Sequence, residues 1–181
     1  MSNLLNEVRA NCRRNKMRAE QPTLYVMVGV PGSGKTTYVR RNLRDALRIS
    51  LDDLRLMFSG KTFDAQIEPA VAIAGDAILD ALVGSAASLK RDIVFDATNV
   101  SRSRRARLIE LARRHGLSPI AIFINCPLTE AQSRNQQRAV PVPAPVVKQF
   151  GQRLEPPTID EGFVDVIHVC NSRTGENPSK P

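Results

Sequence analysis

Tryptophan is absent from this chain of 181 residues, and Tyr and Phe bring its aromatic content to only 4%. A surface that binds nucleic acid by stacking bases on aromatic rings therefore has few rings to use. The three cysteines, Cys12, Cys126 and Cys170, are odd in number, widely spaced and form no C-x-x-C pair. That argues against a disulfide framework and a structural zinc, and for reduced thiols in a cytoplasmic protein. No apolar run approaches the roughly 18 residues needed to cross a bilayer, so no membrane partner is expected. Residues 1–22 lack the continuous apolar core and small-residue cleavage site of a signal peptide and read as a short amphipathic helix or a basic tail. Acidic residues are the minority, 18 against 26 Lys+Arg, for a formal charge of +8. Such a field concentrates polyanions, nucleotides and nucleic acids among them, although many basic proteins bind neither.

The chain has the length of one domain, with 42% hydrophobic residues to build its core. Residues 23–29, TLYVMVG, form a continuous apolar run ending in glycine, as expected of a strand buried on both faces. A helix is expected over 35–47, a brief strand at RIS, and a helix over 67–89, where apolar residues recur three and four apart. DIVFD and SPIAIFIN read as strands on either side of a helix in SRSRRARLIELARRHG, closed by Gly116. Leu108, Ile109 and Leu111 are its inward residues and its arginines a mostly solvated face. Residues 129–138 read as a polar helix. Prolines 141, 143, 145, 156 and 157 suggest an irregular or mobile segment, and FVDVIHV a last strand. The expected class is α/β, a parallel sheet of about five strands flanked by helices. The boundaries are a basic extension at 1–22, one domain at 23–170 with a helical lid at about 129–157, and a polar tail at 171–181.

The most specific motif is GVPGSGKT, residues 29–36, which satisfies G-x-x-x-x-G-K-[ST] between a strand and a helix. Its glycines let backbone N–H groups curl around phosphate oxygens at a helix N-terminus. Gly29, Val30, Pro31, Gly32, Ser33, Gly34, Lys35, Thr36 and Thr37 are the expected ATP-binding residues. Lys35 would neutralise the β and γ phosphates and Thr36 would ligate Mg²⁺. ATP and Mg²⁺ are thus the expected cofactors.

ISLDDLR, residues 49–55, follows the second strand. Ser50 and Asp53 suit a capping box, which leaves Asp52 without a structural duty. At about 100° per residue, Leu54, Met57 and Phe58 share a face directed to the core, with Asp52 and Arg55 opposite. Asp52 could take a proton from an attacking hydroxyl and Arg55 could hold a phosphate of the acceptor; a surface ion pair is the plainer alternative. In FDATN, Asp96 ends a strand, where it could bind Mg²⁺ directly or through water, orient a basic side chain, or contact the acceptor. Thr98 and Asn99 suit either helix capping or acceptor contact. Arg134 and Arg138, four apart on one face of the polar helix, could close on a triphosphate; a solvated basic face is the plainer alternative. Phe58 and Phe63 are the rings nearest the candidate acceptor site. His115, at a helix end, and His168, within a strand, fit structural places.

GVPGSGKTT, SLDDLR, FDATN and SRNQQR, in this order, resemble the P-loop kinase family typified by the polynucleotide 5′-hydroxyl kinases of RNA and DNA repair. The resemblance spans residues 24–169. It implies transfer of the γ-phosphate of ATP to the 5′-OH end of DNA or RNA, with Asp52 as general base, Lys35 and Arg138 as the other catalytic groups, and Arg134 beside Arg138 at the ATP phosphates. It implies Arg55 at the acceptor phosphate and matches the D-x-T-N form at Asp96, Thr98 and Asn99. The chain leaves no room for the phosphatase or ligase domain that often accompanies such kinases. Two alternatives stand beside this one. The first is a kinase of a small hydroxylated metabolite, antibiotic or toxin-type target, and the second a nucleotide-dependent switch or ATPase, which would leave Asp52 and Arg55 unexplained. Whether the chain forms a homo-oligomer is left open.

Overall fold

The structure, a computed structural model, describes residues 21–61 and 63–171. The basic extension, save its last two residues, and the polar tail beyond Asn171 lie outside the described residues, as does Cys12. The strands are β1 (Thr23–Val28), β2 (Leu47–Ser50), β3 (Ile93–Asp96), β4 (Ser118–Asn125) and β5 (Asp165–Cys170). The helices are α1 (Lys35–Asn42), α2 (Leu51–Ser59), α3 (Glu68–Leu89), α4 (Arg102–Arg114), α5 (Leu128–Gln136) and α6 (Ala144–Gln152). A 3-10 turn covers Ile159–Glu161.

All five strands are parallel, in the order β2-β3-β1-β4-β5. Leu24 pairs with Ile93 on one side and with Pro119 on the other, so β1 runs through the middle of the sheet. A central parallel strand is covered on both faces, which is why TLYVMV has no polar alternation. Leu24, Val26 and Val28 point into a core completed by Leu79 and Val83 of α3 and Leu108 and Ile109 of α4. Met27 points to the other face, with Val94, Ile122 and Val39 of α1.

Several expectations need correction. The helix after the glycine-rich loop stops at Asn42, because the chain must turn through Leu43–Ala46 to bring Leu47 into register with Ile93. The proline-rich segment contains a regular helix. Pro143 is the N-cap of α6 and Pro145 lies in its first turn, where a missing N–H costs nothing. Helix α3 is long and apolar enough to cross a membrane by length and composition, with mean hydropathy 1.6, contrary to the reading that no run is. Its Val71, Gly75, Leu79, Val83 and Ala86 are nevertheless a buried stripe packed inward. Arg105 is not part of a solvated face. It is fully buried, and its guanidinium donates to both carboxylate oxygens of Glu161, at 2.7 and 2.6 Å, and to the carbonyls of Asn99 and Val100. This pair ties α4 to the 3-10 turn that returns the chain to β5.

Candidate active site

The loop joining β1 to α1 needs three left-handed glycines, with φ of 150° at Gly29, 83° at Gly32 and 104° at Gly34. The backbone at Gly32 passes so close to α5 that a Cβ would meet the Ala131 carbonyl oxygen at 2.1 Å. Gly34 is the N-cap of α1 and no side chain caps this helix. Its opening N–H groups have no intrahelical partner and are available to phosphate oxygens. Lys35 is buried and donates from Nζ to the carbonyls of Gly29 and Val30, both at 2.9 Å. Burial lowers its ammonium to about 8, against the raising influence of the Asp96 and Asp52 carboxylates, while Arg138 lowers it further. Backbone donors, a helix N-terminus, a lysine and a threonine hydroxyl make a donor set that fits a nucleotide triphosphate.

Thr36 Oγ1 donates to Asp96 Oδ2 at 2.9 Å. The same oxygen accepts from Arg48 Nε at 2.9 Å and Nη2 at 2.8 Å. Arg48 Nη1 in turn reaches Asp53 Oδ2 at 2.6 Å. A chain of charge-assisted bonds therefore runs from the loop threonine through Asp96 and Arg48 to the start of α2. The expected capping box is half formed. Ser50 accepts from the Asp53 N–H at 3.2 Å, but the Asp53 carboxylate goes to Arg48 because the stronger partner is a cation. Asp96 and Thr36 together form an oxygen donor pair suited to Mg²⁺.

Asp52 lies one residue away and faces elsewhere. Its Oδ1 accepts from Arg55 Nη1 at 2.7 Å, and its Oδ2 is 3.6 Å from Arg138 Nη1. Arg55 is held on its other side by both oxygens of Glu68, at 2.7 and 2.9 Å. Burial alone would lower the Arg55 guanidinium, but its bonds to Glu68 and Asp52 raise it above its ordinary value. Of the apolar residues of α2, Leu54 is buried; Met57 and Phe58 are exposed, which corrects their assignment to the core. The reason is the short reach of α2: α3 crosses only its first turns, where Leu51 and Leu54 lie beside Gly75.

A cleft of about 600 Å³ joins these groups. Pro31, Gly32, Gly34, Lys35, Thr36 and Thr37 line its floor, Asp52, Arg55 and Asp96 one side, and Arg134 and Arg138 the other. Arg138 lies beyond the end of α5 rather than on one helix face with Arg134, yet both reach the cleft. Arg134 is anchored by Glu130 at 2.9 Å and by the Asn171 carbonyl at 3.1 Å. Thr98 lines the cleft and its carbonyl accepts from the Gly29 N–H at 3.0 Å. Asn99 does not line it. Its amide is buried and donates to the Met27 carbonyl at 2.8 Å, so it pins the end of β3 to β1, and Ser101 caps α4 instead. Gly29, Val30 and Ser33 are buried in the loop; the Ser33 hydroxyl is buried without a hydrogen-bond partner among the described residues.

Arg48, Glu68, Gln149, Phe150 and Arg153 belong to the site without having been expected there. Arg48 hides in a strand, and its partner Asp96 is 48 residues away. Glu68 reads from sequence as a helix-opening acid. The last three were concealed by the prolines before them, although Val146, Gln149, Phe150 and Arg153 recur at helical spacing.

Residues 24–157 match the protein family described as AAA domain. The L-seryl-tRNA(Sec) kinase of Methanococcus maripaludis is 23% identical over 136 residues, covering 74% of this chain and 53% of the relative. The human L-seryl-tRNA(Sec) kinase is 32% identical over 76 residues, 42% of this chain and 22% of the relative. The chain thus spans about half the length, or less, of these curated relatives. Among solved structures, a chain of the Pnkp1/Rnl/Hen1 RNA repair complex superposes with a TM-score of 0.61 at 24% identity, covering 74% of this chain and 44% of that one. A gluconokinase from Sinorhizobium meliloti 1021 gives 0.51 at 21% identity over 82% of both chains. These structural likenesses establish a shared fold.

Proposed function

The chain belongs to the AAA-domain family of P-loop proteins, and from that premise we propose that it is an ATP-dependent kinase acting on the 5′-hydroxyl end of a polynucleotide. The observation that carries this reading is the position of Asp52. It shares the cleft with Lys35 and Thr36, and two guanidiniums flank its carboxylate. A kinase needs a carboxylate so placed to receive the proton of its acceptor hydroxyl.

In this reading the acceptor oxygen bonds to the γ-phosphorus while the bond to the bridging β–γ oxygen breaks, and ADP leaves. Asp52 accepts the hydroxyl proton. Lys35 and Arg138 hold the charge that spreads over the transferred group, with Arg134 beside them. Thr36 and Asp96 are the residues that would hold Mg²⁺, which would supply neutralisation of the phosphate charge. The basic charge of the chain and the likeness to a chain of an RNA repair complex support a nucleic-acid acceptor.

The test incubates the full chain with γ-labelled ATP, Mg²⁺ and 5′-OH oligonucleotides of DNA and of RNA. Label in the oligonucleotide is expected; its absence from both overturns the reading. A second reading, a hydroxyl carried on the aminoacyl end of an RNA, is favoured by the curated relatives named as L-seryl-tRNA(Sec) kinases. Label in seryl-tRNA and none in the oligonucleotides selects it.

A further inference from the structure

Only eight residues of this chain are aromatic, and most have a packing role. Phe95, Phe123 and Phe163 are buried in the main core, and Tyr25 and Tyr38 pack against the smaller one. Phe58 stands exposed on α2, away from the cleft lining. The remaining two, Phe63 and Phe150, are half-buried and both line the cleft. They reach it from opposite directions in the fold: Phe63 from the segment after β2 and α2, Phe150 from α6, beyond β4. In the sheet β1 separates β3 and β2 from β4, so the two rings come to one cleft from opposite sides of the central strand.

The charges of the cleft divide in a similar way. Four arginines line it. Arg55 is occupied by Glu68 and Asp52, Arg134 by Glu130, and Arg138 lies at Asp52. Arg153 alone has no ion-pair partner among the described residues. It is the C-cap of α6, three residues after Phe150, and continues the row of Val146 and Gln149 into the cleft. A pair of phenyl rings with an unpaired guanidinium beside one of them is poorly suited to a polyhydroxylated acid. It suits a flat heterocycle joined through a sugar to a phosphate.

We propose that Phe63 and Phe150 clamp the terminal base of the acceptor, and that Arg153 binds the phosphate on the 3′ side of that nucleotide. This rests on the reading of the protein as a 5′-hydroxyl kinase and deepens it. The enzyme thereby recognises the terminal nucleoside as well as its hydroxyl, and the duty of holding the phosphate moves from Arg55 to Arg153. Arg55, already neutralised by Glu68, serves to orient Asp52.

The experiment uses the full chain, ATP and three acceptors: a 5′-OH oligonucleotide with 2-aminopurine as its terminal base, the same oligonucleotide with an abasic terminal residue, and a nucleoside. The wild type is expected to quench the 2-aminopurine and to phosphorylate the intact oligonucleotide with a KM about tenfold below that of the abasic one. Phe63→Leu and Phe150→Leu should each remove most of the quenching and of the KM difference. Arg153→Gln should raise KM about tenfold for the oligonucleotide and by less than twofold for the nucleoside. Equal wild-type KM values for intact and abasic oligonucleotides, without quenching, overturn the clamp and leave the kinase reading standing. Quenching without transfer sustains the clamp and overturns the kinase reading, and neither signal overturns both. An effect of Arg153→Gln that is equal on nucleoside and oligonucleotide removes Arg153 from the phosphate. The wild-type arms decide the clamp even if a variant fails to fold.

Discussion

Asp52 and Asp53 are neighbours in sequence and part company within one turn of α2. Asp53 closes onto Arg48 and so onto Asp96, while Asp52 closes onto Arg55 and the lid arginine Arg138. Asp52→Asn keeps the shape and removes the carboxylate that the proposed transfer uses as base. It is expected to lower kcat by roughly 10²- to 10⁴-fold with ATP affinity changed less than about threefold, as read by single-turnover transfer and nucleotide titration. Loss of ATP binding as well would make Asp52 structural. Lys35 gives a pH signature. Burial brings its ammonium to about 8, and bound phosphates must raise it again, so the nucleotide complex holds more protons than the free protein. ATP affinity is therefore expected to be nearly flat up to about pH 8 and then to fall, by up to about tenfold per pH unit. The folding contribution has the opposite sign. Unfolded, the lysine keeps its ordinary value of 10.5, so the unfolded chain binds the extra proton between about 8 and 10.5. Stability from this group rises with pH through that window. Lys35→Met should flatten both profiles in calorimetric and denaturant titrations. Local spacing was enough to bring Lys35, Thr36 and Asp52 to the cleft they line, whereas Arg138 lines it from beyond the helix end and not from the helical face its spacing suggested. Arg48 was not legible there, because its duty comes from strand register: Ser50 pairs with Asp96, and Arg48 with Val94 on the next strand.

Elements of the sheet and its two large helices were legible from sequence, because an apolar run and a 3.6-residue period survive any tertiary context. The lid was not. Three alternating prolines break a helix in its interior but open one at its start, and only packing distinguishes the two cases. In α6 that packing is done by Val147, which is fully buried. Val147→Ala should cost about 1–3 kcal/mol of stability and loosen the helix bearing Phe150 and Arg153, raising acceptor KM more than ATP KM. The return from the lid depends on the buried Arg105–Glu161 pair, with side chains 0% and 3% exposed. Glu161→Gln leaves a buried guanidinium without its counter-charge, an expected loss of about 3–5 kcal/mol in urea unfolding. Asp160→Asn, next to it and exposed in its pair with Arg102, should leave the unfolding midpoint unchanged. If both substitutions act alike, the stabilisation does not come from burial.

Across the whole molecule, the strand order determines what a bound nucleotide can join. Asp52 arrives from β2 at one edge, Arg134 and Arg138 from beyond β4 on the other side, and β1 delivers the glycine-rich loop between them. Among the described residues, the two halves meet over the loop through the 3.6 Å contact of Asp52 with Arg138, a pair about one-third exposed on each side and weak by itself. Phosphates lying on Lys35 and between the arginines replace that contact with several charge-assisted bonds, so nucleotide should stabilise the fold as a unit. A non-hydrolysable ATP analogue with Mg²⁺ at about 100 times its Kd adds about 2.7 kcal/mol. For a domain of this size that corresponds to a rise of roughly 5–10 °C in Tm. Lys35→Met should abolish most of the rise, since it removes the buried cation at the centre of the loop, whereas Arg138→Gln should leave part of it, because Lys35 remains. A shift unaffected by Lys35→Met would place the nucleotide outside the loop and separate the cleft from ATP altogether.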